Sequence, residues 1–311
     1  MGMNVLLDRP EAPFRAQLRH LLQSARERLP LYLILMRADR PAGALLLLWP
    51  TLWALWMAAG GWPSAHLLVV FVAGVFLTRS AGCVINDLAD RDFDPHVERT
   101  RGRPLATGAV SPEEALRLAG ALLAIAFLLV LTTNRLTVLL SFVALPLAGI
   151  YPYMKRVTYI PQFFLGLAFS WGIPMAFAAQ MDAVPVVAWL LFIANVLWAM
   201  IYDTMYAMVD REDDVRIGVR STAILFDDAD RLIIGIMQGM MLLVLIIIGL
   251  HVESGARYFG GVLVAALLMA HHQYLIRDRS REGCLRAFRA NNWLGLALLA
   301  GIVLENQPGA P

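Results

Sequence analysis

The sequence predicts an all-α, polytopic membrane protein, and three observations carry that expectation. The 311-residue chain is 59% hydrophobic and only 16% charged, with a positive mean hydropathy far from soluble usage. Nine apolar segments are long enough, or nearly so, to cross a bilayer. The loops between them alternate in charge, with twenty-four Lys and Arg on one side and only Arg135 and Arg257 on the other. A net charge of +2 offers no global field for nucleic acid. Cys83 and Cys284 stand far apart without metal-ligand spacing, so neither a zinc site nor a disulfide framework is expected.

Residues 1–34 form a basic amphipathic segment. Phe14, Leu18, Leu21, Leu22, Ala25 and Leu29 recur at helical spacing, with Arg15, Arg19, Arg26 and Arg28 on other faces. Such a helix can lie on an anionic membrane surface; the alternative is a solvated tail. No apolar core with a small-residue cleavage site is seen, so no secretory signal is expected. The first span, 42–60, is expected to break at Pro41 and Pro50, and its tryptophans 49, 53 and 56, with Trp62 beyond, to anchor the far interface. Spans follow at 66–86, 114–133 and 136–152. The fifth, 160–180, carries Pro161 and Pro174 and should kink. The sixth covers 184–204, the seventh 232–250, and the eighth, 258–275, ends in His271 and His272. The ninth, 291–305, opens on Asn291 and Asn292, which suit a helix cap or a cavity wall.

Positive loops resist translocation, so the N-terminus is expected in the cytoplasm, the C-terminus outside, and the polar loops 87–113 and 205–231 on the cytoplasmic face. No linker or low-complexity stretch divides the chain, which reads as one membrane domain over 35–305 with a short tail, 306–311.

One theme occurs twice: an apolar helix ends in spaced aspartates followed by an arginine-rich loop. In "NDLADRDFD" (86–94), Asp87, Asp90 and Asp94 fall within about 60° of one helical face, Asp92 points away, and Pro95 is expected to stop the helix. In "YDTMYAMVDREDD" (202–214), Asp203, Tyr206, Ala207, Asp210 and Asp214 fall within about 100° of one face. Carboxylates this crowded repel, and each costs about 2.5–3.5 kcal/mol at mid-membrane depth, so they call for cations or water. Mg²⁺ fits, because it takes one or two carboxylates and bridges to substrate phosphates. Arg91, Arg99, Arg101 and Arg103 beside the first strip, and Arg211, Arg216 and Arg220 beside the second, can complete a clamp on a diphosphate. The alternative reading of each is a charge that only sets topology. A diphosphate site among lipid-facing helices suits a substrate with a charged head and an apolar tail, such as a polyprenyl diphosphate. Ionisation of that donor gives an allylic cation, which burial protects from water.

These motifs read NDxxDxxxD and DxxYAxxDxxxD, and the chain resembles the UbiA superfamily of intramembrane aromatic prenyltransferases. The strings at 35–56, 99–111, 151–179 and 216–226 are similar to its 4-hydroxybenzoate polyprenyltransferase branch. The resemblance implies about nine transmembrane helices around a central cavity with capping cytoplasmic loops. It implies Mg²⁺-dependent transfer of a polyprenyl group to 4-hydroxybenzoate, ortho to the hydroxyl, in ubiquinone biosynthesis at a bacterial inner membrane. Asn86, Asp90, Asp94, Asp210 and Asp214 would bind Mg²⁺-diphosphate, with Asp87 and Asp203 nearby. A basic residue after the fourth helix, Lys155 or Arg156, would meet substrate, Arg156 taking either the acceptor carboxylate or the diphosphate. Asp203 or Asp210 would orient or deprotonate the phenol. Tyr206 could steer the cation or simply pack. Arg220 stands where the family commonly has lysine.

Two other readings compete. A cation-coupled transporter would place isolated carboxylates at mid-span rather than strips beside cytoplasmic loops. The same chemistry on haem B, homogentisate, dihydroxynaphthoate or a lipid head group would show different acceptor-side strings. Membrane lipid is an expected partner, nucleic acid is not, and tail length and oligomeric state are left open.

Overall fold

The computed structural model describes residues 26–96 and 100–307. Residues 1–25, most of the predicted amphipathic segment, and Arg99 of the predicted clamp lie outside the described residues. The chain forms α1 (26–35), α2 (Ala42–Ala59), α3 (Ala65–Ala89), α4 (Pro112–Val130), α5 (Arg135–Val157), α6 (Pro161–Ser170) and α7 (Gly172–Met181). After these come α8 (Val186–Ile217), α9 (Thr222–Phe226), α10 (Asp230–His251), α11 (Ala256–Leu275) and α12 (Arg281–Glu305). No strand occurs among the described residues.

The starts follow side-chain caps. Ser64 accepts from the Leu67 amide (3.2 Å), Ser111 from Glu114 (3.2 Å), Asn134 from Thr137 (2.9 Å) and Ser280 from Gly283 (3.2 Å). Each satisfies an amide that would otherwise go unpaired at a helix end. Seven helical units among the described residues are long and apolar enough to span a membrane: α2, α3, α5, α6–α7, α8, α9–α10 and α12. The other two predicted segments are the 19-residue α4 and 20-residue α11, whose ends carry Glu113, Glu114 and Arg117, or His271, His272 and Gln273.

Several boundaries differ from expectation. Pro50 sits inside a continuous α2, so the expected break is absent there. The fifth segment does break, at Trp171, because Pro174 cannot donate to the carbonyl of Ser170. α3 stops at Ala89, six residues before Pro95; Asp90 caps it and Asp94 begins a 3₁₀ turn, Asp94–His96. α8 runs 32 residues and ends only at Gly218, whose φ of 74° suits glycine. The predicted loop 205–231 is therefore helical over its first half.

Packing closes a ring: α2 on α3, α3 on α4 and α5, α5 on α6, α6 on α8, α8 on α10, α10 on α11, α11 on α12, and α12 on α2. Lipid tails compete for apolar contact, so close packing and hydrogen bonds decide helix pairing. A Cβ on Gly261 would lie 3.0 Å from Gly301 Cα, which makes α11–α12 a backbone-to-backbone seam. Of the four tryptophans expected at the far interface, Trp53 and Trp56 are buried, Trp49 is half-buried and Trp62 is exposed. Trp53 stacks on Trp198 at 5.1 Å and donates to the Gly295 carbonyl at 2.9 Å. Trp198 donates to Asn291 Oδ1 at 2.8 Å. Asn291 is thus a buried mid-helix acceptor rather than a cap, since α12 starts ten residues earlier at Arg281.

Candidate active site

The three aspartates of the first motif are all buried, at 0% (Asp87), 4% (Asp90) and 5% (Asp94) exposure, so each carboxylate needs a partner. One Arg37 nitrogen donates to both Asp87 oxygens at 2.6 and 2.8 Å. Arg103 lies 2.9 Å from Asp87 and donates to Asp94 at 2.8 and 3.1 Å. Lys155 pairs with Asp90 Oδ2, to which Asn86 also donates at 3.1 Å. Three cations therefore face three carboxylates. Asp90 Oδ1 is buried without a hydrogen-bond partner. Burial raises the Asp94 carboxyl above the ordinary carboxylate range, and Arg103 only partly opposes it.

The second strip lies along α8, with Asp203, Tyr206, Asp210 and Asp214 all partly buried. Tyr206 packs on Phe288 at 4.7 Å between ring centroids. α5 and α6 stand between the strips: α5 touches α3 and α6, and α6 touches α8. The Lys155 carbonyl accepts from the Arg220 amide at 3.1 Å, which ties the residue holding Asp90 to the loop after α8.

The predicted arginines separate into groups. Arg103 joins the first strip. Arg156 donates to the Ala89 carbonyl and stacks over Phe93 (5.0 Å) and Tyr153 (5.6 Å). Arg220 donates to the Val157 carbonyl at 2.7 Å and lies over Tyr159. Arg91 is exposed near Asp92 (3.5 Å), and Arg216 is exposed near Asp213 (3.7 Å). Neither is brought onto a strip. Arg211 turns to Asp230 instead of the strip. A cleft of about 430 Å³, lined by Leu88, Arg91, Asp92, Tyr153 and Arg156 among others, lies on the outer flank of the first motif and does not include Asp90 or Asp203.

Two residues that spacing did not single out hold central places. Arg37 anchors Asp87 across fifty residues. Arg79, two turns before Asp87 on α3, donates to Cys83 Sγ at 2.7 Å and lies 5.8 Å over the Phe169 ring. Its Nε is buried with no partner. A Cβ on Gly43 would meet its Nη2 at 2.9 Å, so glycine makes room for the guanidinium there. The only sequence signal for Arg79 is its charge inside a segment otherwise apolar.

Among the described residues no three carboxylate, imidazole or thiol groups already converge on one point. The donor chemistry still fits a hard divalent cation, which needs only one or two carboxylates and takes its remaining ligands from water and substrate phosphate. Asp90 Oδ1 supplies one such unused oxygen.

The chain matches the UbiA prenyltransferase family model over residues 47–296. It is 59% identical to a 4-hydroxybenzoate octaprenyltransferase of Alkalilimnicola ehrlichii over 91% of this chain and 97% of that one. It is 58% identical to a protein of the same description from Aeromonas salmonicida, over 88% and 95%. Among solved structures it is similar to the apo form of a UbiA homolog from Aeropyrum pernix, with a TM-score of 0.75 and 25% identity over 85% of this chain and 98% of that one. A UbiA homolog from Archaeoglobus fulgidus bound to GPP and Mg²⁺ aligns with a TM-score of 0.66 at 18% identity, over 88% and 99%.

Proposed function

The chain belongs to the UbiA prenyltransferase family, and from that premise we propose that it transfers a polyprenyl group from polyprenyl diphosphate to 4-hydroxybenzoate. The product is 3-polyprenyl-4-hydroxybenzoate, a ubiquinone precursor. The observation that carries the site assignment is the buried, unpartnered Asp90 Oδ1 beside Lys155, at the end of a membrane helix. The octaprenyltransferase relatives support an eight-unit donor tail.

In this reading Asn86, Asp90 and Asp94 of the first motif and Asp210 and Asp214 of the second would hold Mg²⁺. Asp87 stays with Arg37 and supports the motif. Mg²⁺, when bound, supplies the Lewis acidity that weakens the allylic carbon–oxygen bond. Lys155 and Arg103 exchange their carboxylates for diphosphate oxygens as the donor enters. The carbon–oxygen bond breaks and its electron pair leaves with diphosphate. Arg79, with an unused buried Nε, holds the acceptor carboxylate and so aims the phenol. Asp203 orients or deprotonates the hydroxyl. The ring carbon ortho to it attacks the allylic cation, and loss of that carbon's proton restores aromaticity. The bundle excludes the water that would quench the cation.

The charge bias of the loops supports an inner-membrane protein with its N-terminus and both motifs towards the cytoplasm. The test is transfer of label from radiolabelled 4-hydroxybenzoate to prenylated product by detergent-purified protein with Mg²⁺. Product is expected from wild type and not from Asp90→Ala or Asp210→Ala. Undiminished product in either variant would remove the proposed site.

A further inference from the structure

Behind the second motif lies an ion cluster that the reaction scheme does not use. Asp230, the first residue of α10, is completely buried. Arg211 of α8 and Arg279 of the α11–α12 turn both pair with it, Arg279 through Nε at 3.0 and 3.1 Å. The Arg231 amide donates to Asp230 at 2.6 Å, and Arg279 also donates to the Asp228 carbonyl at 2.7 Å. Two residues on, Arg281 reaches Glu212 at 3.3 Å and Asp213 at 3.4 Å. The α11–α12 turn and the first residue of α12 thus tie back to the last part of α8, Arg279 through the Asp230 that it shares with Arg211 and Arg281 directly.

At about 100° per residue, Arg211 lies on one flank of the Asp210–Asp214 face and Asp213 on the other, with Glu212 behind. The strip face is left to the site while its flanks and back are gripped. Arg279 has φ 51°, a left-handed conformation that residues with side chains rarely adopt. The tight start of α12 follows, where a Cβ on Gly283 would meet the Leu275 carbonyl oxygen at 2.4 Å. The turn that carries Arg279 is therefore closely packed against the start of α12.

We propose that Asp230, Arg279 and Arg281 are positioning residues for metal and diphosphate: they hold the last turns of α8 so that Asp210 and Asp214 meet the ion. The inference rests on the functional reading above. Outer partners that orient metal ligands are commonly worth about 10–100-fold in metal affinity.

The experiment compares wild type with Arg279→Gln, Arg279→Lys, Arg281→Gln and Asp230→Asn in detergent. It measures half-saturating Mg²⁺, KM for each substrate, melting temperature, and Mn²⁺ binding in the presence of a polyprenyl diphosphate. Arg279→Gln is expected to raise half-saturating Mg²⁺ and donor KM about tenfold and to weaken Mn²⁺ binding equally, with acceptor KM unchanged. Arg281→Gln should show a smaller shift in the same direction, and Arg279→Lys should restore part of the loss. Asp230→Asn should behave like Arg279→Gln if it folds; if it does not, the arginine variants decide. Wild-type Mg²⁺ response and Mn²⁺ binding in a folded Arg279→Gln would overturn the proposal, as would a loss confined to melting temperature. Absence of transfer by wild type would instead defeat the functional reading.

Discussion

A single nitrogen of Arg37 lies 2.6 and 2.8 Å from the two oxygens of Asp87, joining the end of α1 to the heart of the first acidic motif. Arg37 has φ 58°, so the backbone accepts an uncommon conformation where this contact is made. Asp87 is fully buried, and Arg103 is its other cation.

Removing Arg37 leaves that carboxylate half compensated. Arg37→Ala is expected to destabilise the protein by about 3 kcal/mol, the lower end for a broken buried pair. Because one nitrogen makes both contacts, Arg37→Lys should keep most of the stability. Thermal unfolding in detergent checks this, and an unchanged melting temperature in Arg37→Ala would refute it.

Arg79 is expected to act on the acceptor alone. A hydrogen bond to a charged group is worth about 1.5–3 kcal/mol, so Arg79→Gln should raise the KM for 4-hydroxybenzoate tenfold or more. Donor KM should hold. A phenol lacking the carboxylate should lose little between wild type and variant. Equal losses for both acceptors would argue against a carboxylate contact.

Metal and donor together should stabilise the fold. At a hundredfold excess over the dissociation constant, linkage supplies about 2.7 kcal/mol. The melting temperature should rise when Mg²⁺ and a non-hydrolysable donor analogue are added, and fall back with EDTA. Asp90→Asn should abolish that rise, and its persistence would place the ion elsewhere.

The α11–α12 seam predicts a steric effect far from the chemistry. Gly301→Leu is expected to cost about 1–3 kcal/mol, because even its Cβ would lie 3.0 Å from the Gly261 Cα. Tm should fall while activity per folded molecule changes little. An unaltered Tm would mean that the two helices part easily.

The helices were legible because a span declares itself through apolar length alone, and the aspartates because one-faced spacing is a local pattern. What escaped was set by distant partners. Arg37 and Arg79 look like topology charges until the fold brings Asp87 to the first and sets the second against Cys83 and Phe169. The interfacial preference of tryptophan suggested an anchor at 49, 53, 56 and 62, yet Trp53 finds a hydrogen-bond acceptor in Gly295, stacks on Trp198 and lies inside. The start of α12 was hidden because Arg281 to Arg289 reads as a charged loop; Ser280 and a tight turn make it helix.

Stiffness is unevenly shared around the ring. At the Gly261–Gly301 contact α11 and α12 meet backbone to backbone, with no side chain between them to rearrange. On α5 the reverse holds: only 17% of its apolar window is buried, the least of the seven spanning units, and Leu139, Phe142, Val143 and Leu145 face outward. A long isoprenoid that must thread into the bundle therefore meets a rigid wall on one side and a yielding one on the other. Amide exchange in detergent should run fastest along α5, which makes that helix the compliant panel through which the volume of the bundle can be adjusted.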